Sequence, residues 1–328
     1  MIQAVLSENR TFFPESTNRK TPFQRGTKIF SALVFSLWAF FAARPLYAST
    51  SVTFPESWDL GQAFVVALSS HRPFENPSVT WQGRVISLDV EPGREGYVSY
   101  ALLGAHVRDV KAGNHPLNFD FTQDNRLFRV KCSIALKNRK YPEEELKVAN
   151  KMINPPKSEL ERIKQESRLT AAARRTMTAK RLWTTPPTRP VPGVFTSRYG
   201  YRRIYNGVPG GYHGGTDFRA AVGTQIRAPF AGTVVLTGDH YYAGKSVYID
   251  SGNGVISLFF HMSEIDVKKG DFIEKGQIIG KTGATGRITG PHLHYGLSLG
   301  GQYVDAAPLF STSVTALLKE MKTEVVRP

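Results

Sequence analysis

The stretch KSVYIDSGNGVISLFFHM (245–262) contains two runs of β-branched and aromatic residues with Gly-Asn-Gly between them. Such runs on either side of a glycine–asparagine turn are typical of a β-hairpin. Two further runs, GTVVLTGD (232–239) and DFIEKGQIIGKTG (271–283), flank this stretch and have the same character. The pattern predicts a glycine-rich, antiparallel β domain, and we place its bounds at 194–312.

The preceding part of the chain has a different β pattern. Residues 49–142 contain three alternating runs separated by turn residues: SVTWQGRVISLDV (78–90), GYVSYALLGAHV (96–107) and NRLFRVKCSIAL (125–136). Strands at this spacing predict a small β-sandwich. The predicted fold class is therefore mainly β, with two β domains in series.

Residues 143–193 connect these two β domains. A segment rich in Ala, Glu, Lys, Arg and Leu predicts a helix from about 158 to 182, which we interpret as a solvated connector. The stiff, proline-rich linker TTPPTRPVPG (184–193) follows it. Residues 313–328 are predicted to form a C-terminal tail, either a short helix or a loose end.

The first 48 residues have the pattern of an export segment. A basic region precedes the uncharged run IFSALVFSLWAFFAA (29–43), which is shorter than the ~20 residues that a membrane-spanning helix needs. Ala48 and Ser49 then provide small residues suited to cleavage. Residues 1–48 are therefore predicted to be either a signal peptide or an N-terminal membrane anchor, and the rest of the chain is predicted to be exported.

The net charge indicates which classes of partner to expect, and the single cysteine has a structural interpretation. The net charge of +15 favours anionic partners, such as an acidic wall polymer or a membrane surface. Nucleic acid is not expected as a partner, because no nucleic-acid motif is present and export argues against it. The single cysteine, Cys132, lies in a strand-like run and is predicted to be a small core residue.

Histidines cluster in the C-terminal half in a pattern that suits a metal. His292 and His294 are two residues apart in GPHLHYG, so on a strand both imidazoles point to the same face. Upstream, GYHGGTDF supplies His213 and Asp217, and LFFHMSEI places His261 at the end of an apolar run. Imidazole and carboxylate are both good ligands for Zn²⁺. Each motif alone is weak, and spacing alone does not assign the ligands.

Taken together, SRYGYRRIYNG, YHGGTDFRAAVGTQIRAPFAGTVV, LFFHMSEI and GATGRITGPHLHYGL resemble the lysostaphin-type (LytM) zinc metallopeptidases, which cleave peptidoglycan peptides. The resemblance runs from about 194 to 310. It implies that His213, Asp217 and His294 hold one Zn²⁺ per catalytic domain. It also implies that His292 is the general base and that His261 either stabilises the oxyanion or orients the water.

Two further points follow from the resemblance. Residues 50–183 resemble the immunoglobulin-like module that precedes this domain in some Gram-negative members. Phe259 departs from the tyrosine often found two residues before the His261 position, and we expect this change to remove a hydroxyl from the rim of the substrate groove.

The resemblance implies a zinc metalloendopeptidase that hydrolyses peptide cross-links of peptidoglycan, by analogy the D-alanyl–meso-diaminopimelate bond, and remodels the cell wall. The expected partners are peptidoglycan stem peptides, and the expected compartment is the periplasm, with anchoring in the inner membrane as an alternative. A second class stays open, namely a non-catalytic LytM-domain regulator that activates a cell-wall amidase. The N-terminal module is predicted either to inhibit the enzyme by occluding the groove or to position it in the wall.

Overall fold

The computed structural model describes residues 49–319 and 321–326, which belong to one compact unit. The predicted segment 1–48 lies outside the described residues. None of the helices in the described ranges is long and apolar enough to span a bilayer. The chain is mainly β, as predicted.

The N-terminal strands are β1 (Thr50–Phe54), β2 (Ser57–Asp59), β3 (Ala63–Ser70), β4 (Glu75–Trp81), β5 (Arg84–Ser87), β6 (Glu91–Gly93), β7 (Gly96–Gly104), β8 (Gly113–Gln123) and β9 (Arg126–Lys137). The connecting elements are β10 (Glu143–Leu146), α1 (Leu160–Arg174) and two 3₁₀ turns at Asn150–Met152 and Lys157–Glu159. The C-terminal half consists of β11 (Phe195–Ser197), β12 (Arg202–Tyr205), β13 (Val208–Tyr212), β14 (Thr216–Arg219), β15 (Gln225–Arg227), β16 (Gly232–His240), β17 (Gly244–Asp250), β18 (Val255–Ile265), β19 (Phe272–Ile273), β20 (Ile278–Thr282), β21 (His292–Leu299), β22 (Gln302–Val304), a 3₁₀ turn at Ala307–Ser311, α2 (Val314–Leu318) and β23 (Lys322–Val326).

The N-terminal strands form a β-sandwich of two five-stranded sheets, ordered β23-β1-β3-β7-β6 and β2-β9-β8-β4-β5. Alternate residues of facing strands, such as Phe64 and Leu68 of β3 and Phe119 of β8, share one hydrophobic core. The indole of Trp81 lies in this core and donates a hydrogen bond to the Gly104 carbonyl at 2.7 Å. The immunoglobulin-like character of this sandwich stays a prediction.

The C-terminal segment contains the short helix that was one of the two predicted alternatives, α2, but continues into a strand that was not predicted. Strand β23 pairs antiparallel with β1, from Thr50 opposite Val326 to Phe54 opposite Lys322, and so forms an edge of the N-terminal sandwich. Met321 and Val326 pack against the sandwich core. The run KTEVV is too short to reveal its partner, because an edge strand is recognised only by the strand that it pairs with.

The connector also differs from the prediction. Helix α1 ends at Arg174, not near 182, because the following segment docks on the turn between β17 and β18. Two backbone hydrogen bonds join them: Leu182 donates to the Ser251 carbonyl at 2.9 Å, and Asn253 donates to that of Thr178 at 2.6 Å. Trp183 is fully buried beside this turn. The segment after α1 is therefore packed against the C-terminal half and contributes Trp183 and Val191 to its core, whereas α1 itself buries only Ala173 and is largely solvated, as predicted.

The C-terminal half is built on one large sheet with the path β11-β14-β21-β18-β17-β16-β19, onto which β15, β20 and β22 also pair. The predicted hairpin is confirmed: β17 and β18 are antiparallel, and Asn253 in their turn has a positive φ of 50°. Away from this sheet, β10 of the connector pairs in parallel with β12, and β12 pairs with β13. These pairings hold the connector beside the strands that carry the candidate site.

Candidate metal centre

Three neighbouring strands bring the predicted site residues together. In the register of β14, β21 and β18, Asp217 lies opposite His294, and His294 lies opposite Phe260. The ring of Phe260 stacks on the His294 imidazole, with centroids 5.0 Å apart and planes 7° apart. Alternation along β21 then places His292 on the same face as His294.

His213 reaches the same point from the loop between β13 and β14. Its Nδ1 lies 2.8 Å from the Arg198 carbonyl oxygen, to which it donates a hydrogen bond, so its Nε2 keeps a lone pair. That Nε2 lies 3.0 Å from Asp217 Oδ1 and 3.0 Å from His294 Nδ1. His294 Nδ1 is itself 2.8 Å from Asp217 Oδ1.

These three donor atoms fit a zinc ion. A tetrahedral Zn²⁺ with bonds of about 2.0–2.1 Å requires ligand atoms roughly 3.3 Å apart. The donor atoms of His213, Asp217 and His294 are 2.8–3.0 Å apart and all three side chains are buried. Moreover, the His213 nitrogen and the Asp217 oxygen are both acceptors, and two buried acceptors in contact repel each other unless a proton or cation lies between them.

The electrostatics of the cluster favour an ionised Asp217 and a neutral His294, the forms that bind metal. Burial opposes ionisation of Asp217, but the adjacent His213 and His294 outweigh burial and hold its pKa well below the usual range. Burial lowers the pKa of His294 to about 4, against the opposing effect of Asp217.

Two more imidazoles face the cluster. His292 Nε2 lies 3.6 Å from Asp217 Oδ1, while its Nδ1 is 2.8 Å from the Gly290 carbonyl oxygen. The ring of His261 lies 5.1 Å from that of His292, and its Nδ1 is 2.8 Å from the Thr285 carbonyl oxygen. In both residues Nδ1–H donates to the backbone, so both Nε2 atoms are acceptors.

His261 also has an unusual backbone. Its φ is +62°, in the left-handed region that few residues other than glycine adopt, and its backbone N–H donates to the Ala243 carbonyl at 2.8 Å. Burial lowers the pKa of His261 to about 3, and the neighbouring His294 and His292 lower it further in the same direction. Strained backbone of this kind often marks a functional position.

Sequence reasoning missed a second set of groups behind the cluster. Arg203 Nη2 donates to Asp217 Oδ2 at 3.0 Å and to Ser197 Oγ at 3.0 Å, and its Nε lies 3.3 Å from Glu144 Oε2. Ser197 Oγ donates to Glu144 Oε2 at 2.8 Å and lies 3.3 Å from His213 Nδ1. Glu144 therefore supports two predicted metal ligands from the connector strand β10.

No local signal identifies these groups. Arg203 is the second of two adjacent arginines, and Glu144 is the middle residue of a Glu-Glu-Glu run. Their partners are fixed by the parallel pairing of β10 and β12, in which Glu144 lies opposite Arg203. That pairing joins residues far apart in the chain, so spacing alone could not reveal it.

The expectation for Phe259 was wrong. Its side chain is fully buried and packs against Tyr295 at a centroid distance of 5.4 Å, so a hydroxyl here would lie in the core. The next residue, Phe260, lines the groove instead. Side chains alternate between the two faces of β18, so Phe259 points away from the groove that Phe260 lines.

The cluster opens into a cavity of about 290 Å³. Residues from three parts of the chain line it: the N-terminal sandwich supplies His106 and Arg108, the connector supplies Leu146 and Val148, and the remainder comes from the C-terminal half. The His106 backbone N–H donates to Gln302 Oε1 at 3.3 Å and the Val107 backbone N–H donates to the Tyr199 hydroxyl at 3.3 Å, and both bonds hold the sandwich loop against the C-terminal half. The groove is therefore not built by the C-terminal half alone.

Comparison with known proteins agrees with this geometry. Residues 211–306, which contain every predicted ligand and both other imidazoles, match the model of Peptidase family M23. A crystal structure of an M23 peptidase from Pseudomonas aeruginosa is 30% identical, with a TM-score of 0.59 over 76% of this chain and 94% of that one. The chain belongs to peptidase family M23.

Curated members of the family match over the C-terminal half. The peptidoglycan DD-endopeptidase ShyA of Vibrio cholerae is 48% identical over 94 residues, which are 29% of this chain and 22% of ShyA. Lysostaphin of Staphylococcus simulans is 39% identical over 99 residues, which are 30% of this chain and 20% of lysostaphin. The matched M23 segment thus spans only about a fifth of each relative's length.

Proposed function

We propose that this M23 protein is a zinc metalloendopeptidase that hydrolyses peptide cross-links of peptidoglycan. The observation that carries the proposal is the buried His213–Asp217–His294 cluster, which opens into a groove beside two imidazoles whose Nε2 atoms are acceptors. The substrate class comes from ShyA, which is named a peptidoglycan DD-endopeptidase.

The three ligands would hold one zinc ion per catalytic domain. When bound, such an ion polarises a peptide carbonyl and lowers the pKa of a water molecule towards ~7. The chain contributes the orientation of the ligands. The Arg198 carbonyl fixes the tautomer of His213, and Arg203 holds the second oxygen of Asp217. Support of ligands by neighbouring groups strengthens metal sites in general.

His292 is proposed as the general base. Its Nδ1–H is engaged by the Gly290 carbonyl, and its Nε2 acceptor faces the cluster, 3.6 Å from Asp217 Oδ1. It can therefore accept a proton from the attacking water and later pass it to the leaving amine.

For His261, the hydrogen bonds favour one of the two predicted roles. Because Nδ1–H donates to the Thr285 carbonyl, the neutral ring has only an acceptor at Nε2. An acceptor can orient a water molecule but cannot donate to an oxyanion. We therefore propose that His261 orients the water.

The cleaved bond is proposed to be D-alanyl–meso-diaminopimelate, because ShyA is named a DD-endopeptidase and has the higher identity of the two curated relatives described above. Exported action in the periplasm, with or without an inner-membrane anchor, stays part of this proposal, as does retention on an anionic wall or membrane surface through the net charge of +15. The amidase-regulator alternative is less favoured, since a regulator needs no complete set of ligands and base.

The experiment is mass spectrometry of defined cross-linked muropeptide dimers incubated with the protein lacking residues 1–48. Three samples are compared: the protein with zinc, the protein with a chelator, and the His294→Ala variant. Conversion of dimers to monomers that requires both zinc and His294 is expected, and product masses identify the bond. Intact dimers in the presence of stoichiometrically bound zinc would contradict the proposal and favour the regulator.

The role of the N-terminal module can be tested in the same assay. The loop that carries His106 and Arg108 borders the groove, and Asp109 pairs with both. If the module inhibits, Asp109→Asn should loosen the loop and raise the rate. If the module only positions the enzyme in the cell wall, the same change should leave the rate on soluble muropeptides unchanged. Truncation at 184 is less informative, because it also removes Glu144 and the buried Trp183.

A further inference from the structure

One arginine of the groove is held between aromatic rings without an anionic partner. The Cζ atom of Arg287 lies 4.4 Å from the ring centroid of Tyr205 and 4.7 Å from that of Tyr242. Its backbone N–H donates to the Tyr242 carbonyl at 2.8 Å. Among the residues that the structure describes, its guanidinium forms no ion pair and no side-chain hydrogen bond.

The other arginines that line the groove are neutralised. Arg203 is paired with Glu144 and Asp217, and Arg108 is paired with Asp109 at 2.8 Å. Asp217 is the single carboxylate among the described residues lining the groove, and it is engaged by the cluster. The groove therefore has one uncompensated side-chain cation, at Arg287.

The loop that carries Arg287 is fixed in place. The Thr285 hydroxyl donates to the Met262 carbonyl at 2.8 Å and accepts from the Lys245 N–H at 3.0 Å. Gly286 has a φ of +77°, and a Cβ there would lie 2.4 Å from the backbone nitrogen of Gly244, so only glycine allows this close approach. Arg287 is thus presented by a preorganised loop five residues before His292.

We propose that Arg287 binds a free carboxylate of the substrate peptide close to the scissile bond, and that it sets the preference of the enzyme for acidic over amidated stem peptides. This inference rests on the proposed endopeptidase function. A guanidinium offers donors in a planar fork that matches a carboxylate in a bidentate pair. The two tyrosine rings restrict the guanidinium in advance, which lowers the entropy cost of binding.

A structural role is the competing explanation, because the two cation–π contacts could simply attach the loop to β12 and to the segment before β17. That role predicts that removing the arginine slows all substrates to the same extent. A carboxylate subsite predicts instead that the effect depends on one carboxylate of the substrate. The two explanations are therefore separated by changing protein and substrate together.

The test uses the protein lacking residues 1–48 and a set of synthetic cross-linked peptides, in which each free carboxylate is converted in turn to a primary amide. Values of kcat/KM are measured for wild type, Arg287→Gln and Arg287→Lys. The matched control is Arg227→Gln, which removes the same charge from an exposed residue of β15 outside the groove. Zinc content and thermal unfolding verify that every variant is folded.

Wild type is expected to cleave the free acid about 10- to 100-fold faster than one of the amides, the range of a charge-assisted hydrogen bond. Arg287→Gln should abolish this preference, because the rate on the free acid should fall by most of this factor while the rate on that amide, which can accept only a weaker, uncharged hydrogen bond from the guanidinium, should fall much less. Arg287→Lys should retain part of the preference, and Arg227→Gln should retain all of it.

Equal cleavage of all peptides by wild type would overturn the subsite and leave the endopeptidase intact. An equal loss on acid and amide in Arg287→Gln would also overturn it, in favour of the structural role. If wild type with bound zinc cleaves none of the peptides, the proposed function itself fails, and the subsite that rests on it fails too.

Discussion

The two β halves of this protein bury polar side chains in different ways. At one end of the sandwich, Thr50, Ser70 and Gln123 form a closed network: Thr50 donates to Gln123 at 2.9 Å, and Gln123 donates to Ser70 at 3.0 Å. Donors there meet acceptors, and all three groups are neutral. In the C-terminal half, Asp217 and His213 instead bring two acceptors within 3.0 Å of each other.

The difference teaches which buried polar groups are structural and which are functional. A network in which every donor meets an acceptor needs nothing further, and it adds to specificity of folding. A buried set of acceptors that face one another is stable only with a cation or proton between them. Both networks are buried, so burial does not distinguish them. They differ in whether each acceptor faces a donor.

The first prediction tests this contrast by removing the negative charge of Asp217, at the centre of the cluster. Asp217→Asn keeps the side-chain size but replaces the shared carboxylate oxygen by a neutral amide. We expect zinc stoichiometry to fall and hydrolysis to decrease by about 10³-fold or more, because metal polarisation contributes several kcal/mol. Zinc content by mass spectrometry of the native protein and muropeptide kinetics measure both effects.

The counterpart in the sandwich is Gln123→Leu, which breaks the neutral network. It should lower the free energy of unfolding by about 1–3 kcal/mol, because the hydroxyls of Thr50 and Ser70 each lose one partner and keep only the hydrogen bond to each other. Zinc content of the folded protein should not change. If Gln123→Leu reduces zinc binding as Asp217→Asn does, the contrast between the two networks is wrong.

The second prediction concerns the apolar core of the sandwich. Phe119 is fully buried between its two sheets, so Phe119→Ala should lower the free energy of unfolding by about 3–5 kcal/mol. Urea unfolding followed by tryptophan fluorescence measures this loss. Zinc affinity of the remaining folded protein should equal that of wild type, and a weaker affinity would show that the sandwich core shapes the metal site.

The third prediction tests the connection between the connector and the cluster. Glu144→Gln should weaken zinc affinity by about 10- to 100-fold, the usual effect of losing a group that supports ligands. Without Glu144, the charge of Arg203 acts on Asp217 alone and draws it away from the metal. Competition with a chromogenic chelator measures the affinity independently of turnover.

Glu143→Gln is the control for Glu144→Gln. Glu143 is the neighbouring residue of β10 and pairs with the exposed Arg202 at 2.9 Å, outside the cluster. Exposed ion pairs contribute little, so zinc affinity should stay that of wild type. Equal effects of the two changes on zinc affinity would mean that the Glu144 carboxylate has no specific role and that β10 acts only through its backbone pairing with β12.

The fourth prediction concerns pH. Because burial lowers the pKa of His261 to about 3, the unfolded chain binds a proton at this residue below about pH 6.5 while the folded chain does not. The free energy of unfolding should therefore fall as pH drops, and His261 should account for about 2 kcal/mol between pH 7.5 and pH 5.

His261→Asn should remove this contribution, and asparagine tolerates the positive φ of 62° at this position. Urea unfolding of the metal-free proteins at both pH values gives the comparison. Parallel pH dependences for wild type and variant would contradict a neutral, buried His261.

Prediction from sequence succeeded where structure is local. The hairpin at 252–254 and the shared face of His292 and His294 follow from strand alternation and turn chemistry, which involve only neighbouring residues. The match of motifs to a family then joined His213 and Asp217 to them. Each of these groups lies within a short, recognisable stretch.

Prediction from sequence failed where an element is determined by a contact with residues distant in the chain. Helix α1 ends at Arg174 because its continuation docks on the turn at 251–254, and no propensity within 158–182 reveals that contact. Glu144 belongs to the site only through the pairing of β10 with β12. The extent of the groove was also missed, since Arg108 reaches it from the sandwich.

Strand β23 has a consequence for the order in which the molecule can form. It pairs with β1, and the hydrogen bond between Thr53 and Thr323 spans 270 positions of sequence. The sheet of the sandwich that contains β1 and β3 therefore cannot be completed until nearly the whole described chain has been synthesised. Contacts so distant in sequence slow folding. During synthesis from the N-terminus, β1 would thus remain at an open sheet edge until the end of the chain is available, and the last strand would then pair with the first.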